Sequence, residues 1–359
     1  MESGEPHPDS IPNPKMGKNE ICACGSRRGE GSGGVMTELR YNKAVNNALA
    51  HAMAADPTVI LFGQDVAGAG GVYGATRGLV DRFGPGRVLD TPISEAAMVG
   101  MAVGAALSGL RPIVEISFID FMTFAMDPIV NQAAKMRTMF GGQRSVPMVL
   151  RTQHGGGAGA GAQHAQCLEA WFAHIPGLKM VCPSDPASAY GLVRAAIDDP
   201  DPVIVVEHKA LYGTRADLPD VLPILPIGKA ATLRPGRDVT IVSYGWALKP
   251  VFEAAVGLAG QGIEAEIIDL RSLLPWDEAA VLESLSRTHR LVIVHEAVEA
   301  FGIGAEIAAR MADIGFDELD APIVRLGAPF TPAPIARQAE RDYRPSADSI
   351  MRAVRRTFG

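Results

Sequence analysis

Aromatic residues are scarce in this chain, at 6% of 359 positions. That argues against a β-sandwich with an aromatic-rich core. Basic residues are also in deficit: 33 Lys and Arg face 40 Asp and Glu, for a formal net charge of −7. The basic footprint of a general nucleic-acid binder is therefore missing. Long hydrophobic runs are absent too. The longest, Met98 to Leu110, is too short and too rich in glycine to span a bilayer. The first residues are acidic, with prolines where the apolar stretch of a signal peptide would stand. Cys22, Cys24, Cys167 and Cys182 make neither a disulfide framework nor a paired zinc-ligand set. These absences predict a cytoplasmic protein with reduced thiols, no nucleic-acid partner and no membrane span.

Small and apolar residues are abundant. Hydrophobic residues make up 47% of the chain, and there are 39 glycines. Closely packed α/β layers suit that mixture, and the length suits two domains.

Residues 1–35 carry Gly, Pro, Ser and charge without a hydrophobic period, and are expected to form a disordered tail. Cys22 and Cys24 with His7 lack the spacing and frame of a zinc site. Met36 begins the ordered sequence and is a second candidate start. From Tyr41 helix and strand alternate. Helices are expected at about 41–54, 94–109, 128–140 and 186–197, and strands at 59–62, 112–116, 147–151, 179–181 and 203–207. Residues 222–236, opened by Leu222-Pro-Ile-Leu-Pro-Ile-Gly228, read as a linker. The alternation then restarts, with strands at 239–243, 264–269, 290–295 and 323–326 and a last helix at about 346–357. The reading is two α/β domains, 36–221 and 237–359. Each is a mostly parallel sheet with helices on both faces.

Three segments could carry chemistry. The stretch Asp90 to Gly104 places Glu95 at the mouth of a helix that is otherwise small and apolar. Thr91, Pro92 and Ser94 supply helix-start chemistry, and the helix dipole favours an acid in the first turn. Apolar residues nearly all round predict a buried helix, and Gly100 and Gly104 would let another backbone approach. A buried carboxylate needs a partner, although a capping Glu in a core helix would leave the same local pattern. The second segment is the glycine-rich loop His154 to His164. It is neither a dinucleotide fingerprint nor a P-loop, because the required frame and the Gly-Lys-Ser/Thr are missing. The third, Phe118 to Phe124, places three aromatics after a strand end, where parallel sheets bind ligands.

Collinear motifs then carry a resemblance. They include Gly70-Gly-Val-Tyr73, Asp90-Thr-Pro-Ile-Ser-Glu95, Gly109-Leu-Arg-Pro112, Asn131-Gln-Ala-Ala-Lys135 and Gln163-His164. Further along come His174-Ile-Pro-Gly-Leu178, Asp201-Pro-Val203, Glu207-His-Lys-Ala-Leu-Tyr212, Asp269-Leu-Arg271 and His295-Glu296. From about Tyr41 onwards the chain resembles the beta subunit of the thiamine-diphosphate-dependent decarboxylating component of 2-oxo acid dehydrogenase complexes. The domains would then be a pyrimidine-binding domain and a transketolase-type C-terminal domain.

The resemblance implies roles. Glu95 would hydrogen-bond the cofactor's aminopyrimidine and favour the tautomer that deprotonates the thiazolium carbon. Phe121 would pack on that ring, and His164 would help pass the acyl group to lipoamide. Met148, Ala196, Ile197, Asp199 and Asp201 match a potassium site built mainly of main-chain carbonyls. The Gly-Asp-Gly that anchors magnesium and the diphosphate is missing from the sequence. The chain therefore implies an alpha subunit that holds the magnesium, an α2β2 heterotetramer and a lipoyl acyltransferase core. Pyruvate is the expected 2-oxo acid. Acetoin dehydrogenase and branched-chain 2-oxo acid dehydrogenase are the close alternatives, and a non-catalytic assembly subunit is the alternative of a different class. Departures from the family pattern include Gln64 in place of an acid, Pro128 in place of Gln, and the turn Gly327 to Pro334. Gln64 and Pro128 are expected to lie away from Glu95.

Overall fold

Short Val- and Ile-rich runs bounded by Gly, Pro and Asp form the strands. The computed structural model describes residues 36–359. The tail expectation, with His7, Cys22 and Cys24, lies outside the described residues. In chain order the first strands are β1 (Met36–Arg40), β2 (Val59–Gly63), β3 (Val88–Asp90), β4 (Arg111–Ile116) and β5 (Val149–His154). Then come β6 (Lys179–Val181), β7 (Val203–His208) and β8 (Arg215–Pro219). The remainder are β9 (Ala231–Arg234), β10 (Val239–Ser243), β11 (Ala265–Asp269), β12 (Ser272–Leu274), β13 (Leu291–Val298) and β14 (Val324–Ala328).

Seven strands form the first sheet in the order β12-β6-β7-β5-β4-β2-β3. It is parallel except for the edge strand β12. Five form the second, β14-β13-β10-β11-β9, where only β9 runs antiparallel. β1 and β8 pair as a separate antiparallel ribbon.

Strand alternation sorts the core into layers. On β2, Val59 and Leu61 face one cluster, while Phe62 faces another; on β7, Val203 and Val205 oppose Ile204 and Val206. The outer face of the first sheet is covered by the helices Tyr41–Ala55 and Pro186–Asp198, which pack on each other. Its inner face shares one apolar layer with the second sheet. That layer joins Met98, Ile116, Met122 and Phe172 to Val242, Tyr244, Ile293 and Ile307. The far face of the second sheet packs the helices Leu248–Ala259 and Ala347–Arg355. The two domains are thus one body built around a common inner layer.

Four expectations need correction. Residues 128–140 are not a continuous helix: a π-helical turn, Pro128–Ala133, is followed by a short helix, Met136–Met139. The strand expected at 147–151 runs on to His154, because β7 provides partners as far as His208. Residues 222–236 do more than connect. Leu222, Leu225 and Ile227 pack on the first sheet's outer layer, and β9 edges the second sheet. Finally, the helix Glu95–Leu107 is buried on one face only: Gly100, Met101 and Gly104 are exposed.

Candidate active site

β2, β3 and β4 run parallel, so their carboxyl ends open on one side of the sheet. Glu95 begins its helix there, just beyond β3. Ser94 is the N-cap by position, yet its hydroxyl makes no capping hydrogen bond. Glu95 is 8% exposed. Gln64, one residue past β2, donates from Nε2 to Glu95 Oε1 at 3.3 Å. This corrects the expectation that Gln64 lies away from Glu95. Neighbouring parallel strands bring the two together across 31 residues of chain. One carboxylate oxygen is thereby oriented by a neutral amide, which adds no charge to a buried acid.

Beyond β4 the chain turns into a 3-10 helix, Ile119–Ala125, which packs on the Glu95–Leu107 helix. Phe121 on this segment lies edge-on to His164, with ring centroids 5.2 Å apart at 84°. Phe118 does the same from 5.0 Å. Lys209 Nζ donates to the His164 main-chain oxygen and sits over the Phe118 ring. Burial pushes the Lys209 ammonium below its usual range. Gln166 donates twice to Asp120 Oδ1 and so ties the loop's end to the 3-10 segment. The structure therefore unites Phe121 and His164. Glu95 heads the helix beneath them and is hydrogen-bonded to neither.

Sequence reasoning missed a buried polar seam between the domains. Glu296 Oε2 accepts from His208 Nε2 at 2.8 Å and from Arg344 at 3.0 Å, and Glu296 Oε1 accepts from Gly156 N–H at 2.6 Å. His208 Nδ1 accepts from Ala210 N–H, so the neutral ring carries its proton on Nε2 and donates it to Glu296. Burial pushes His208 down to about 4, against the pull of Glu296. Burial alone would raise Glu296, but His208, Arg344 and the Gly156 amide hold it well below the ordinary carboxylate range. Glu207-His208 and His295-Glu296 were visible as motifs. Their pairing was not, because 88 residues separate His208 from Glu296.

His154, Cys167 and Glu169 also converge, within 4.8 Å. His154 Nδ1 lies 3.4 Å from Glu169 Oε2, and Tyr244 donates to Glu169 Oε1 at 2.8 Å. Burial pushes the Cys167 thiol well up. The group is a histidine–carboxylate contact beside a thiol that burial keeps protonated, and His154 belongs to the strand rather than to the loop.

Of the residues matched to potassium, Met148 O accepts from Val203 N–H at 3.0 Å. Ile197 O and Asp199 O both accept from Arg111 Nη1, at 2.8 and 3.3 Å. Ala196 lies in the same helix as Ile197. The Asp199 and Asp201 carboxylates pair with Lys179, and Asp201 also with Arg137. Two of these carbonyls thus already point at one cationic group, and each keeps a second lone pair.

The fold and site define a transketolase-type pair of domains. Residues 37–215 match the transketolase pyrimidine-binding domain, and residues 228–350 the transketolase C-terminal domain. A solved split-gene transketolase, described as an inactive beta4 tetramer, shares the fold. Its TM-score is 0.74 at 22% identity, over 90% of this chain and 98% of that one. Among curated proteins, the chain is 47% identical to the acetoin:2,6-dichlorophenolindophenol oxidoreductase subunit beta of Bacillus subtilis (strain 168), over 89% of this chain and 97% of that protein. It is 46% identical to the pyruvate dehydrogenase E1 component subunit beta-2, mitochondrial, of Oryza sativa subsp. japonica, over 89% and 86%. The chain belongs to the family of beta subunits of pyruvate and acetoin dehydrogenase E1 components.

Proposed function

We propose that this chain is the beta subunit of a thiamine-diphosphate-dependent, lipoamide-acylating 2-oxo acid dehydrogenase acting on pyruvate. The observation that carries the reading is Glu95. It is a nearly buried carboxylate at a helix start beyond parallel strand ends, with one oxygen oriented by Gln64. A cofactor's aminopyrimidine nitrogen suits the other oxygen, and the aromatic wall of Phe118, Phe121 and Phe124 suits its flat ring. When bound, thiamine diphosphate supplies a nucleophilic carbon and an electron sink for decarboxylation. Glu95 then holds or shares the pyrimidine proton, Phe121 orients the ring, and His164 stands at the site's edge for acyl transfer. Residues 36–221 serve as the pyrimidine-binding domain and 237–359 as the C-terminal domain.

The diphosphate and magnesium fall to an alpha subunit, since this sequence holds no Gly-Asp-Gly. An exposed apolar face supports an α2β2 assembly. Ile93, Met101 and Phe124 are exposed beside Gly100 and Gly104, where an added Cβ would meet nothing within 4 Å. A potassium ion would be held by the Met148, Ala196, Ile197, Asp199 and Asp201 carbonyls; of these, Ile197 O and Asp199 O converge on the Arg111 guanidinium and each keeps a second lone pair. The lipoyl acyltransferase core is the further partner. Cys167 and Cys182 are free thiols and suit a reducing compartment such as the cytoplasm. Among the described residues no helix is long and apolar enough to cross a membrane.

Acetoin cleavage is the second reading. It is favoured by the 47% identity to the Bacillus subtilis subunit and by the Glu207-His-Lys-Ala-Leu-Tyr212 segment. The test is to purify the chain with and without its alpha partner and to assay pyruvate and acetoin side by side. Turnover of pyruvate by the pair and none by the chain alone is expected. Robust turnover by the isolated chain, or turnover of acetoin only, rejects the reading.

A further inference from the structure

The glycine-rich loop is held from the second domain. Gly156 N–H donates to Glu296 Oε1 at 2.6 Å, and Gly157 and Gly159 N–H groups both donate to Glu340, at 2.9 and 3.1 Å. Gly157 and Gly159 have φ of 101° and 66°, in the left-handed region that glycine favours. That conformation turns successive amides toward one side, the concave arrangement that takes an anion. Here the anion is a side chain of the same protein. Glu340 is 4% exposed and lies on the helix Arg337–Tyr343. The fit is close. A Cβ on Gly156 would collide with Glu340, and one on Gly157 with the Arg344 guanidinium. Ile335 lies against Gly161, and Arg344 also braces Glu296. The loop then leads directly into the site, because His164 N–H donates back to Gly161 O at 3.3 Å.

We propose that Glu340, together with Glu296, is a positioning clamp that sets the glycine-rich loop and so places His164 against Phe118 and Phe121 for acyl transfer. The proposal rests on the acyl-transfer reading of His164. Hydrogen bonds to an ionised acceptor are the strong ones. Three of them here fix a stretch that glycine would otherwise leave free. Small displacements of a reacting group are costly in rate. Glu340 touches neither substrate nor cofactor and acts only through the loop.

The experiment uses the full chain assembled with its alpha partner, as Glu340→Ala and the nearly isosteric Glu340→Gln. Four quantities are read: amide hydrogen exchange across residues 155–164, Tm, reductive acylation of a free lipoyl domain, and pyruvate decarboxylation with an artificial electron acceptor. In Glu340→Ala, loop peptides are expected to exchange about tenfold or more faster, while Tm and exchange in the first sheet stay unchanged. Lipoyl acylation is expected to lose about tenfold in kcat, with KM for pyruvate within about twofold. Glu340→Gln keeps an acceptor oxygen and is expected to fall between. Unchanged loop exchange in Glu340→Ala, or loss of protection across the whole chain, overturns the clamp. Faster loop exchange with normal acylation upholds the hold on the loop but overturns the placing of His164 by the clamp. Normal acylation in a His164→Ala control rejects that role independently.

Discussion

Two buried ionisable side chains decide most at the scale of single residues. Glu95 is the one to which the proposed chemistry falls. Glu95→Gln keeps the shape and the reach to Gln64 but removes the exchangeable carboxyl proton. Acid–base groups of this kind contribute about 100- to 10,000-fold. Assembled with its alpha partner, the Glu95→Gln chain is therefore expected to lose decarboxylation by at least about 100-fold with little change in Tm. Near-normal rates with pyruvate would remove Glu95 from the mechanism. Arg151 is the structural charge. It is fully buried, binds Glu207 through Nε and Nη2 at 2.7 and 2.9 Å, and reaches Glu115 through Nη1 at 2.5 Å. Tyr212 completes the cluster with a 2.6 Å hydrogen bond to Glu207. Arg151→Met would leave two buried carboxylates unpaired, a loss expected to cost about 3–5 kcal/mol. Denaturant unfolding of the chain reads it directly. A midpoint within error of the parent would mean that these acids find protons or water at little cost.

Helix Glu95–Leu107 poses the question at the scale of elements. Met98, Val99, Ala102, Val103 and Ala106 are buried against the inner layer. The opposite face offers Gly100, Met101 and Gly104 to whatever docks there. Close helix approach through small residues leaves no space for a branched side chain. Gly104→Leu is therefore expected to leave the folded chain intact, since nothing lies within 4 Å of the added Cβ. It is expected to prevent assembly with the alpha partner, by sedimentation or native mass measurement. Normal assembly with the alpha partner in this variant would show that the face is not an interface. The 3-10 segment Ile119–Ala125 is a second decisive element. It converts a strand end into an aromatic shelf, and its position on the same helix links Phe121 to the Glu95 end of the site.

The domains act as one body at the scale of the whole molecule. They share the inner apolar layer and the His208–Glu296–Arg344 seam. The seam gives stability a pH dependence. The folded His208 titrates near 4 because it is buried, whereas an unfolded histidine titrates near 6.5. Between those values the unfolded chain binds the extra proton, so stability rises with pH. The contribution is complete above about 6.5 and is lost as pH falls toward 4. Thermal unfolding between those limits is expected to show the slope, and His208→Asn is expected to flatten it. An equal slope in the variant would assign the dependence to other groups.

The elements were largely legible in the sequence, because strand and helix periods are local. The runs at 59–62, 203–207 and 239–243 lie within or match β2, β7 and β10. Glu95 stood out because an acid at the start of an apolar helix is a local anomaly. Family motifs then attached roles to it, to Phe121 and to His164. What tertiary structure decided was every relation across the sheet and between domains. The approach of Gln64 to Glu95, the strand placement of His154 and the joining of β12 to the first sheet are such relations. So is the hold of Glu296 and Glu340 on the glycine loop. Periodicity reports which face a residue occupies, whereas a hydrogen bond across 183 residues depends on how whole layers stack. That stacking is set by the packing of apolar surfaces that carry no pairwise label in the sequence.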